Sequence, residues 1–471
     1  MRDHGAYAGL ISEHLLGDIV LRPRERYLFG PRGETVLEPR VVDVLVELAD
    51  AKGALVSRED LLRRCWGSYD AGDESLNRCV YQLRKALAKV GSAAVQIDTV
   101  AALGYMLRTR ETPLGQAMDA ARFSWRSGIA AVDDEAVTAL KDALQRGGAA
   151  SASAWGQLAL LLARAAEYAP DENCADIIKQ CETAAAKALS IDGSQPDAGV
   201  ALSSLCPLYG DWLGKRIRLL EVLGHSPRNF AARHELAVLE MATGRASAAV
   251  PIVSELLGED PLAATLHYKR GYHLFCLGRL DEMDRVLDNA LQVWPGHAAI
   301  WQSRVMTLAF TGRAEVALTL LLDEARRPSM PAATLAFHQT ALTALAGGDG
   351  EAIEAAVAVL NENASVQSLA VAAIMYLSAL GAVEQAMGVC ERYYLRDGRA
   401  PVRLRYESGI EASINDLHRR ATQPLFLPVT APLRAHPRFA RLCERMGLAE
   451  YWEGAGVVPD FLADGEHPAR L

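Results

Sequence analysis

The sequence predicts a mostly α protein in which a small N-terminal α+β unit is followed by a long α-solenoid. Between positions 17 and 37, short runs of β-branched and aromatic residues alternate with proline and glycine, which is typical of a small antiparallel sheet. Farther along, Pro227, Pro261 and Pro295 recur at one fixed interval, with helical patterns between them. A constant period of this length indicates stacked helical repeats. With 471 residues, the chain is long enough for roughly two to four domains.

Three helices and a hairpin are predicted after the small sheet. Pro39 suits the first position of a helix, and apolar residues recur at helical spacing through 41–48. Ser57 is a favourable N-cap for a second helix, which ends at Gly67. A third helix is predicted over about 73–90 with one apolar face. The alternating residues that follow, 95–107, predict a β-hairpin.

The outward face of the third helix carries side chains suited to DNA. These are Asn77, Arg78, Tyr81, Gln82, Arg84 and Lys85. Arginine can read guanine, and asparagine or glutamine can read adenine, through paired hydrogen bonds in the major groove. Arg84 and Lys85 are better suited to phosphate contacts, which position a helix without specifying sequence. An ordinary solvated helix face is the alternative interpretation of the same pattern.

An ordered set of short motifs runs from residue 37 to residue 107. The motifs are Leu37-Glu38-Pro39, Ser57-Arg58-Glu59-Asp60-Leu61, Cys65-Trp66-Gly67, Leu83-Arg84-Lys85-Ala86-Leu87, Ile97-Asp98-Thr99-Val100 and Gly104-Tyr105. As a set they resemble the OmpR/PhoB-type winged helix-turn-helix of bacterial transcription regulators, over roughly residues 14–108. The resemblance implies base contacts by Asn77, Arg78 and Gln82, and contacts to the DNA backbone by Arg84 and Thr99.

The tip of the hairpin departs from that family pattern. Many members carry a basic residue and a glycine where this chain has Ala101 and Ala102. Because the negative potential of the minor groove attracts arginine and lysine, a contact from this wing is weakened or lost. Tyr105 keeps the family residue, either as a DNA contact or as packing between the hairpin and the third helix.

Glycines in the second half keep the same period as the prolines: Gly244, Gly278, Gly312, Gly347 and Gly381. The helical pattern around them resembles tetratricopeptide repeats. It is best over 227–330, with Gly271 and Ala290 placed for close helix approach, and it is degenerate over 120–226. In such repeats the first helix of each pair lines a concave surface. The candidate groove for a ligand or partner is therefore lined by His234, Tyr268, Tyr272, Phe275, Gln302 and Phe310. Packing of these rings between neighbouring units is the alternative.

These patterns divide the chain into a winged helix over 1–110, a linker over 111–118 and a TPR-like solenoid over 119–471. The segment from Leu433 to Phe461 is expected to cap the last repeat. The charge-free run Ser365–Val383 is expected to be a buried helix rather than a membrane span.

Charge and cysteine usage narrow the function classes. The net charge of −9 divides into 16 Lys+Arg against 15 Asp+Glu over 1–110, and 33 against 43 over 111–471, so the acidity belongs to the second part. The eight cysteines form no C-x-x-C pair, which argues against zinc and fits reduced thiols in the cytoplasm. No nucleotide-binding, hydrolase or zinc-protease motif is present, so we expect no enzyme activity, cofactor or metal.

The sequence therefore predicts a cytoplasmic, sequence-specific, one-component transcription regulator. Its expected partners are double-stranded DNA and a second copy of the chain. RNA polymerase, a peptide, a protein or a small-molecule effector are candidates for the solenoid, and no membrane partner is expected. The alternative is an interaction scaffold whose winged helix binds DNA weakly or binds a protein. Arg78 with Gln82 favours the regulator, and the alanines of the wing tip favour the scaffold.

Overall fold

The computed structural model describes residues 14–30, 32–67, 72–101, 103–110, 112–128, 134–146, 150–168, 171–206, 211–364, 367–395 and 422–463. It begins with an antiparallel sheet of four strands in sequential order. The strands are β1 (His14–Leu16), β2 (Ile19–Arg22), β3 (Tyr27–Gly30) and β4 (Gly33–Val36). Ile19, Leu21 and Leu28 are fully buried and turn one face of this sheet towards the helices that follow. The predicted small sheet is confirmed, and its first strand starts at His14.

A three-helix unit with a second sheet completes the N-terminal part. Its elements are α1 (Pro39–Asp50), β5 (Val56–Ser57), α2 (Arg58–Trp66), α3 (Asp73–Lys89), β6 (Val95–Val100) and β7 (Gly104–Thr109), with the strands in the order β5-β7-β6. Ser57 caps α2 by accepting a hydrogen bond from the Asp60 backbone N–H at 3.0 Å. Gly67 ends that helix in the left-handed conformation, with φ of 73°. This is a winged helix-turn-helix.

Helices dominate the rest of the described chain. They are α4 (Pro113–Ser127), α5 (Glu135–Gln145), α6 (Ala152–Tyr168), α7 (Asp171–Ile191), α8 (Pro196–Leu205), α9 (Trp212–His225), α10 (Phe230–Ala242), α11 (Ala246–Glu259), α12 (Ala264–Cys276), α13 (Leu280–Val293), α14 (Ala298–Ala309), α15 (Ala314–Leu322), α16 (Ala332–Gly347), α17 (Gly350–Asn363), α18 (Gln367–Ala379) and α19 (Val383–Leu395). Consecutive helices pack as antiparallel pairs, and from α10 onwards each pair starts 34 or 35 residues after the previous one. The predicted solenoid of TPR-like pairs is confirmed.

Close packing explains the residues that the period preserves. A Cβ on Gly271 would lie 2.6 Å from the Leu287 side chain, so only glycine lets α12 approach α13 this closely. Gly244, Gly278 and Gly312 turn the chain between paired helices at φ of 79°, 67° and 77°. The pattern fades over 120–226, yet helices still pair there. They differ in length, with α6 at 17 and α7 at 21 residues, so the fixed period is lost.

Two boundaries differ from those predicted. Residues 113–118 are helical rather than an irregular linker, because Thr112 caps α4 by accepting from the Gly115 N–H at 3.0 Å and Pro113 occupies the first turn. The closing segment does more than cap the last repeat. Arg438 binds Glu384 and Glu391 of α19, both at 2.7 Å, and the chain then continues across the solenoid.

The rest of the closing segment packs on earlier helices. It contains α20 (Ala431–Arg434), α21 (Phe439–Arg445), α22 (Leu448–Ala455) and α23 (Asp460–Ala463). Trp452 Nε1 donates to the Thr243 carbonyl at 2.9 Å, and Trp212 Nε1 of α9 donates to the Met446 carbonyl at 2.7 Å. Phe426 covers the turn at Gly244, 2.9 Å from where its Cβ would stand. The closing segment therefore contacts the last pair, α18 and α19, as a cap would, and it also buries Trp452 and Phe426 against α9–α11, which the sequence did not predict.

Burial separates two hydrophobic cores, one inside the winged helix and one running through the solenoid. The two parts touch where Arg22 donates to the Ala150 carbonyl and Thr112 donates to the Gly17 carbonyl, each at 2.8 Å. The charge-free run predicted as a buried helix forms α18, whose described side chains lie mostly in the solenoid core. Nowhere in the described part of the chain does a helix combine the length and apolar character needed to cross a bilayer.

Candidate nucleic-acid interface

Helix α3 packs its apolar side into the winged-helix core, so its opposite face is exposed. The buried residues of this helix are Leu76, Cys79, Val80, Leu83 and Leu87. Arg78, Tyr81 and Lys85 stand on the opposite side at intervals of three and four residues, which aligns them along one face. Tyr81 is 67% exposed within the whole chain, so the solenoid leaves this face open.

Three of the predicted site residues are free to meet a ligand. No described residue forms a hydrogen bond or an ion pair with the side chains of Arg78, Tyr81 or Lys85. Their guanidinium, phenol and ammonium groups project from consecutive turns of α3. This row therefore offers a bidentate donor for a base edge and a cation for a phosphate.

Asn77 and Gln82 are already engaged within the winged helix. The Asn77 Oδ1 atom accepts hydrogen bonds from Arg58 at 2.6 Å and from the Tyr105 hydroxyl at 2.7 Å. Gln82 Nε2 donates to Glu38 at 3.0 Å. Paired readout of adenine by either amide would have to break these bonds, so the geometry favours Arg78 over both as the base reader.

Arg84 and Thr99 bind each other. Arg84 donates twice to the Ile97 carbonyl, at 3.2 and 2.7 Å, and once to the Thr99 hydroxyl at 2.8 Å. These bonds clamp β6 of the wing onto α3. In this arrangement the two residues position the wing, whereas the family resemblance had implied that both contact the DNA backbone.

Tyr105 is a positioning residue. Its side chain is 3% exposed, and its hydroxyl connects Asn77 of α3 with Arg58 of α2. Of the two interpretations left open by the sequence, this burial favours packing between the hairpin and α3 over a DNA contact.

Arg58 is the residue that sequence reasoning missed. It donates to Asp73 and to the Tyr105 hydroxyl at 3.0 Å each, and to Asn77 at 2.6 Å. One guanidinium thus joins the start of α2, the start of α3 and the wing. The partners lie 15 to 47 positions away along the chain, so no local pattern marks this role.

The wing offers little positive charge to DNA. Ala101 is exposed and Leu103 is 58% exposed, while Ala102 lies outside the described residues. Arg108 of β7 forms an ion pair with Asp98 on the paired strand. The weak minor-groove contact expected from the sequence is consistent with this surface.

Cys79 on α3 is an unreactive thiol. It is 7% exposed, and burial raises the pKa of this thiol above its ordinary value. Because the thiolate is the reactive form, this environment argues against a redox switch on the helix.

The residues predicted to line a solenoid groove fall into two groups. His234 and Phe275 are each 2% exposed, and the ring of Trp125 from α4 stacks edge-on against His234 at 5.1 Å. Gln302 reaches His338 at 3.5 Å, and Phe310 lies 5.6 Å from the ring of Tyr376. Tyr268, Tyr272, Gln302 and Phe310 keep partly exposed surfaces. His234 and Phe275 belong to the packed interior, whereas Tyr268, Tyr272 and Phe310 pack against it with part of their surface exposed, so a ligand site there stays a prediction.

Known proteins share the N-terminal part. Residues 32–107 match the family described as "Transcriptional regulatory protein, C terminal". The chain is 42% identical over 53 residues to the transcriptional regulator HilA of Salmonella typhimurium, and equally to that of Salmonella typhi. The alignment covers 11% of this chain and 10% of each relative, so the chain spans about a tenth of the length of these regulators.

Two solved structures align with much of the chain at low TM-scores. One is Naa15/Naa10 bound to HypK-THB, at 15% identity and a TM-score of 0.25, covering 75% of this chain and 53% of that one. The other is yeast Tom70, at 10% identity and a TM-score of 0.33, covering 86% of this chain and 84% of that one. Similarities at these TM-scores carry no argument about function.

Proposed function

We propose that this protein is a cytoplasmic, sequence-specific transcription regulator that reads DNA with α3. The observation that carries the proposal is the open row of Arg78, Tyr81 and Lys85 on a winged helix of the transcriptional-regulator family. Arg78 reads a guanine in the major groove, and Lys85 holds a phosphate. Arg58, Arg84 and Tyr105 hold the wing in a fixed position relative to α3.

The test is a binding titration on a DNA site selected from a random pool, against scrambled DNA of the same length. Arg78→Ala should cost about 1–3 kcal/mol of discrimination at one base position. Lys85→Ala should weaken both DNAs alike and reduce the slope of log affinity against log salt by about one. Arg285→Ala, an exposed arginine of α13, is the matched control. Equal losses on selected and scrambled DNA for Arg78→Ala would show that this residue does not read a base.

The solenoid serves regulation in this proposal. It receives a protein, peptide or small-molecule input through the groove of Tyr268, Tyr272, Gln302 and Phe310, or it joins two copies so that two winged helices bind paired sites. Tyr272→Ala should remove the response to an inducer without changing the DNA affinity of the winged helix. A large loss of thermal stability in this variant would instead identify Tyr272 as a core residue.

A second candidate function is an interaction scaffold whose winged helix binds DNA weakly or binds a protein. The internal bonds of Asn77 and Gln82, together with the exposed Leu103 of the wing tip, favour it. The salt titration separates the two candidates. A regulator keeps a preference for its selected site at physiological salt, whereas a scaffold shows one weak affinity for every DNA.

A further inference from the structure

A cleft of about 1280 Å³ separates the winged helix from the solenoid. One wall is formed by β1, the end of α1 and β7. The other wall is formed by α4, α6 and the starts of α8 and α10. Pockets that hold drug-sized molecules measure roughly 300–1,000 Å³, so the space accepts a ligand of nucleotide size or larger.

The lining of the cleft is positively charged in an acidic protein. Its cationic side chains are Lys52, Arg108, Arg110, Arg122, Arg126 and Arg228, and its carboxylates are Asp50, Asp119 and Asp197. The lining therefore carries six cations against three anions, whereas residues 111–471 carry 33 against 43. A local reversal of the overall charge favours anions inside the cleft.

Half of these cations have no partner among the residues that the structure describes. Arg108, Arg122 and Arg126 form ion pairs with Asp98, Asp119 and Asp260, respectively. For Lys52, Arg110 and Arg228, no hydrogen bond or ion pair joins the side chain to any residue that the structure describes. Lys52 and Arg110 belong to the winged-helix wall and Arg228 to the solenoid wall, so unpaired positive charge faces the cleft from both sides.

The N-terminal ends of three helices support the same sign of ligand. Helices α4, α8 and α10 all begin at the cleft, where their capping residues Thr112, Gln195 and Asn229 line it. The N-terminal ends of helices carry partial positive charge. His14 also lines the cleft, and it is 8% exposed with an Nε2 atom that has no hydrogen-bond partner among the described residues. Burial raises the pKa of Asp197 above its ordinary value, although a hydrogen bond from Asn229 acts in the opposite direction.

We propose that the cleft binds a phosphate-bearing small molecule of nucleotide size, held from both walls by Lys52, Arg110 and Arg228. The planar guanidinium groups of arginine pair with phosphate through two parallel hydrogen bonds, which favours phosphate over a point-like anion. The ring of Phe230 also lines the solenoid wall, where the Arg126 guanidinium lies 4.1 Å from its centre, and it adds apolar surface beside the cations. A ligand that touches both walls would hold the winged helix in one orientation relative to the solenoid. An effect of this ligand on DNA binding rests on the function proposed above, whereas the binding itself does not.

Isothermal titration calorimetry on the full chain tests the site, with ADP, inorganic pyrophosphate, citrate and adenosine as probes. ADP and pyrophosphate should bind saturably with one site per chain, and adenosine should not bind. Arg110→Ala and Arg228→Ala should each weaken ADP about tenfold or more. Both side chains are exposed, so folding should survive, which circular dichroism checks. Arg285→Ala, outside the cleft, should bind ADP as the unaltered chain does.

Several outcomes would overturn the proposal. Loss of ADP binding in Lys85→Ala rather than in the cleft variants would locate the nucleotide on α3. Citrate binding as tightly as pyrophosphate would exclude phosphate as the recognised group. Absence of saturable binding by ADP and pyrophosphate at millimolar concentration would exclude the site. Failure of sequence-specific DNA binding would leave the calorimetric result intact, since no DNA is present in that measurement.

Discussion

Replacing Arg58 with alanine should lower the free energy of local opening in the winged helix more than any other single substitution on its polar surface. The guanidinium joins α2, α3 and the wing through three hydrogen bonds, and its side chain is 20% exposed. Its removal leaves the Tyr105 hydroxyl with Asn77 alone and leaves Asp73 without its cation. The start of α3 then keeps its apolar packing on α2 but loses this polar connection to it.

The expected magnitude follows from the three bonds. Hydrogen bonds to a charged group contribute about 1.5–3 kcal/mol each when they are buried. The Asp73 carboxylate is 64% exposed, and an exposed pair of this kind contributes roughly 0–1 kcal/mol. The bonds to Asn77 and Tyr105 share one network, so their contributions do not add fully. We therefore expect Arg58→Ala to lower the local opening free energy by about 2–4 kcal/mol.

Native-state hydrogen exchange of peptides from α2 and α3 in the full chain measures this loss. Arg63→Ala, on the same helix but paired on the surface with Asp60, is the control and should leave exchange nearly unchanged. Arg58→Lys keeps the charge without the fork and should recover less than half of the protection. Hydrogen exchange from α3 that is no faster in Arg58→Ala than in Arg63→Ala would contradict this stabilising role of Arg58.

Three further predictions concern the chain as a whole. A fragment of residues 1–112 should fold and bind DNA, more weakly than the full chain if the solenoid dimerises, as anisotropy would show. Gly271→Ala should lower the melting temperature, because its Cβ meets a neighbouring helix at 2.6 Å. Burial lowers the pKa of His234 and His273 to about 3 and of His338 to about 4. The unfolded chain then binds more protons below pH 6.5, so stability should fall as pH drops from 6.5 towards 4. His338→Gln should reduce that dependence in pH-resolved melting.

The features that sequence reasoning predicted are those encoded locally or periodically. Ser57 marks the start of α2 and Gly67 marks its end. Both could be predicted because a cap acts on residues within one helical turn of it. The repeat is readable because each pair must bury the same faces with the same small residues, as Gly271 shows. The exposed row of Arg78, Tyr81 and Lys85 on α3 could be predicted because the helix has one apolar stripe. Burial of that stripe decides which side chains point outward.

The features that sequence reasoning missed depend on contacts between distant segments. Arg58 lies at the start of α2, and nothing near it in sequence indicates a bond to the wing 47 positions away. Trp212 and Met446 meet across 234 positions, so the path of the closing segment is a matter of tertiary packing. The cleft could not be predicted from the sequence either. Arg110 and Arg228 are far apart along the chain, and they line the same cleft only in the folded protein.

The internal use of basic residues also limits how one winged helix can hold DNA. Arg84 is committed to the wing, and Lys89 donates to Thr35 at 3.0 Å. Arg78 and Lys85 are the α3 cations that no described residue engages. With Arg78 at a base edge, Lys85 is the α3 cation left for a phosphate, and one such contact gives a salt slope of about −0.9, which is small for a specific protein–DNA complex. Under the proposed function we therefore expect a second winged helix on the same DNA to supply the missing affinity at physiological salt. A solenoid that joins two copies would supply it, which is why the fragment of residues 1–112 is the variant that tests this role.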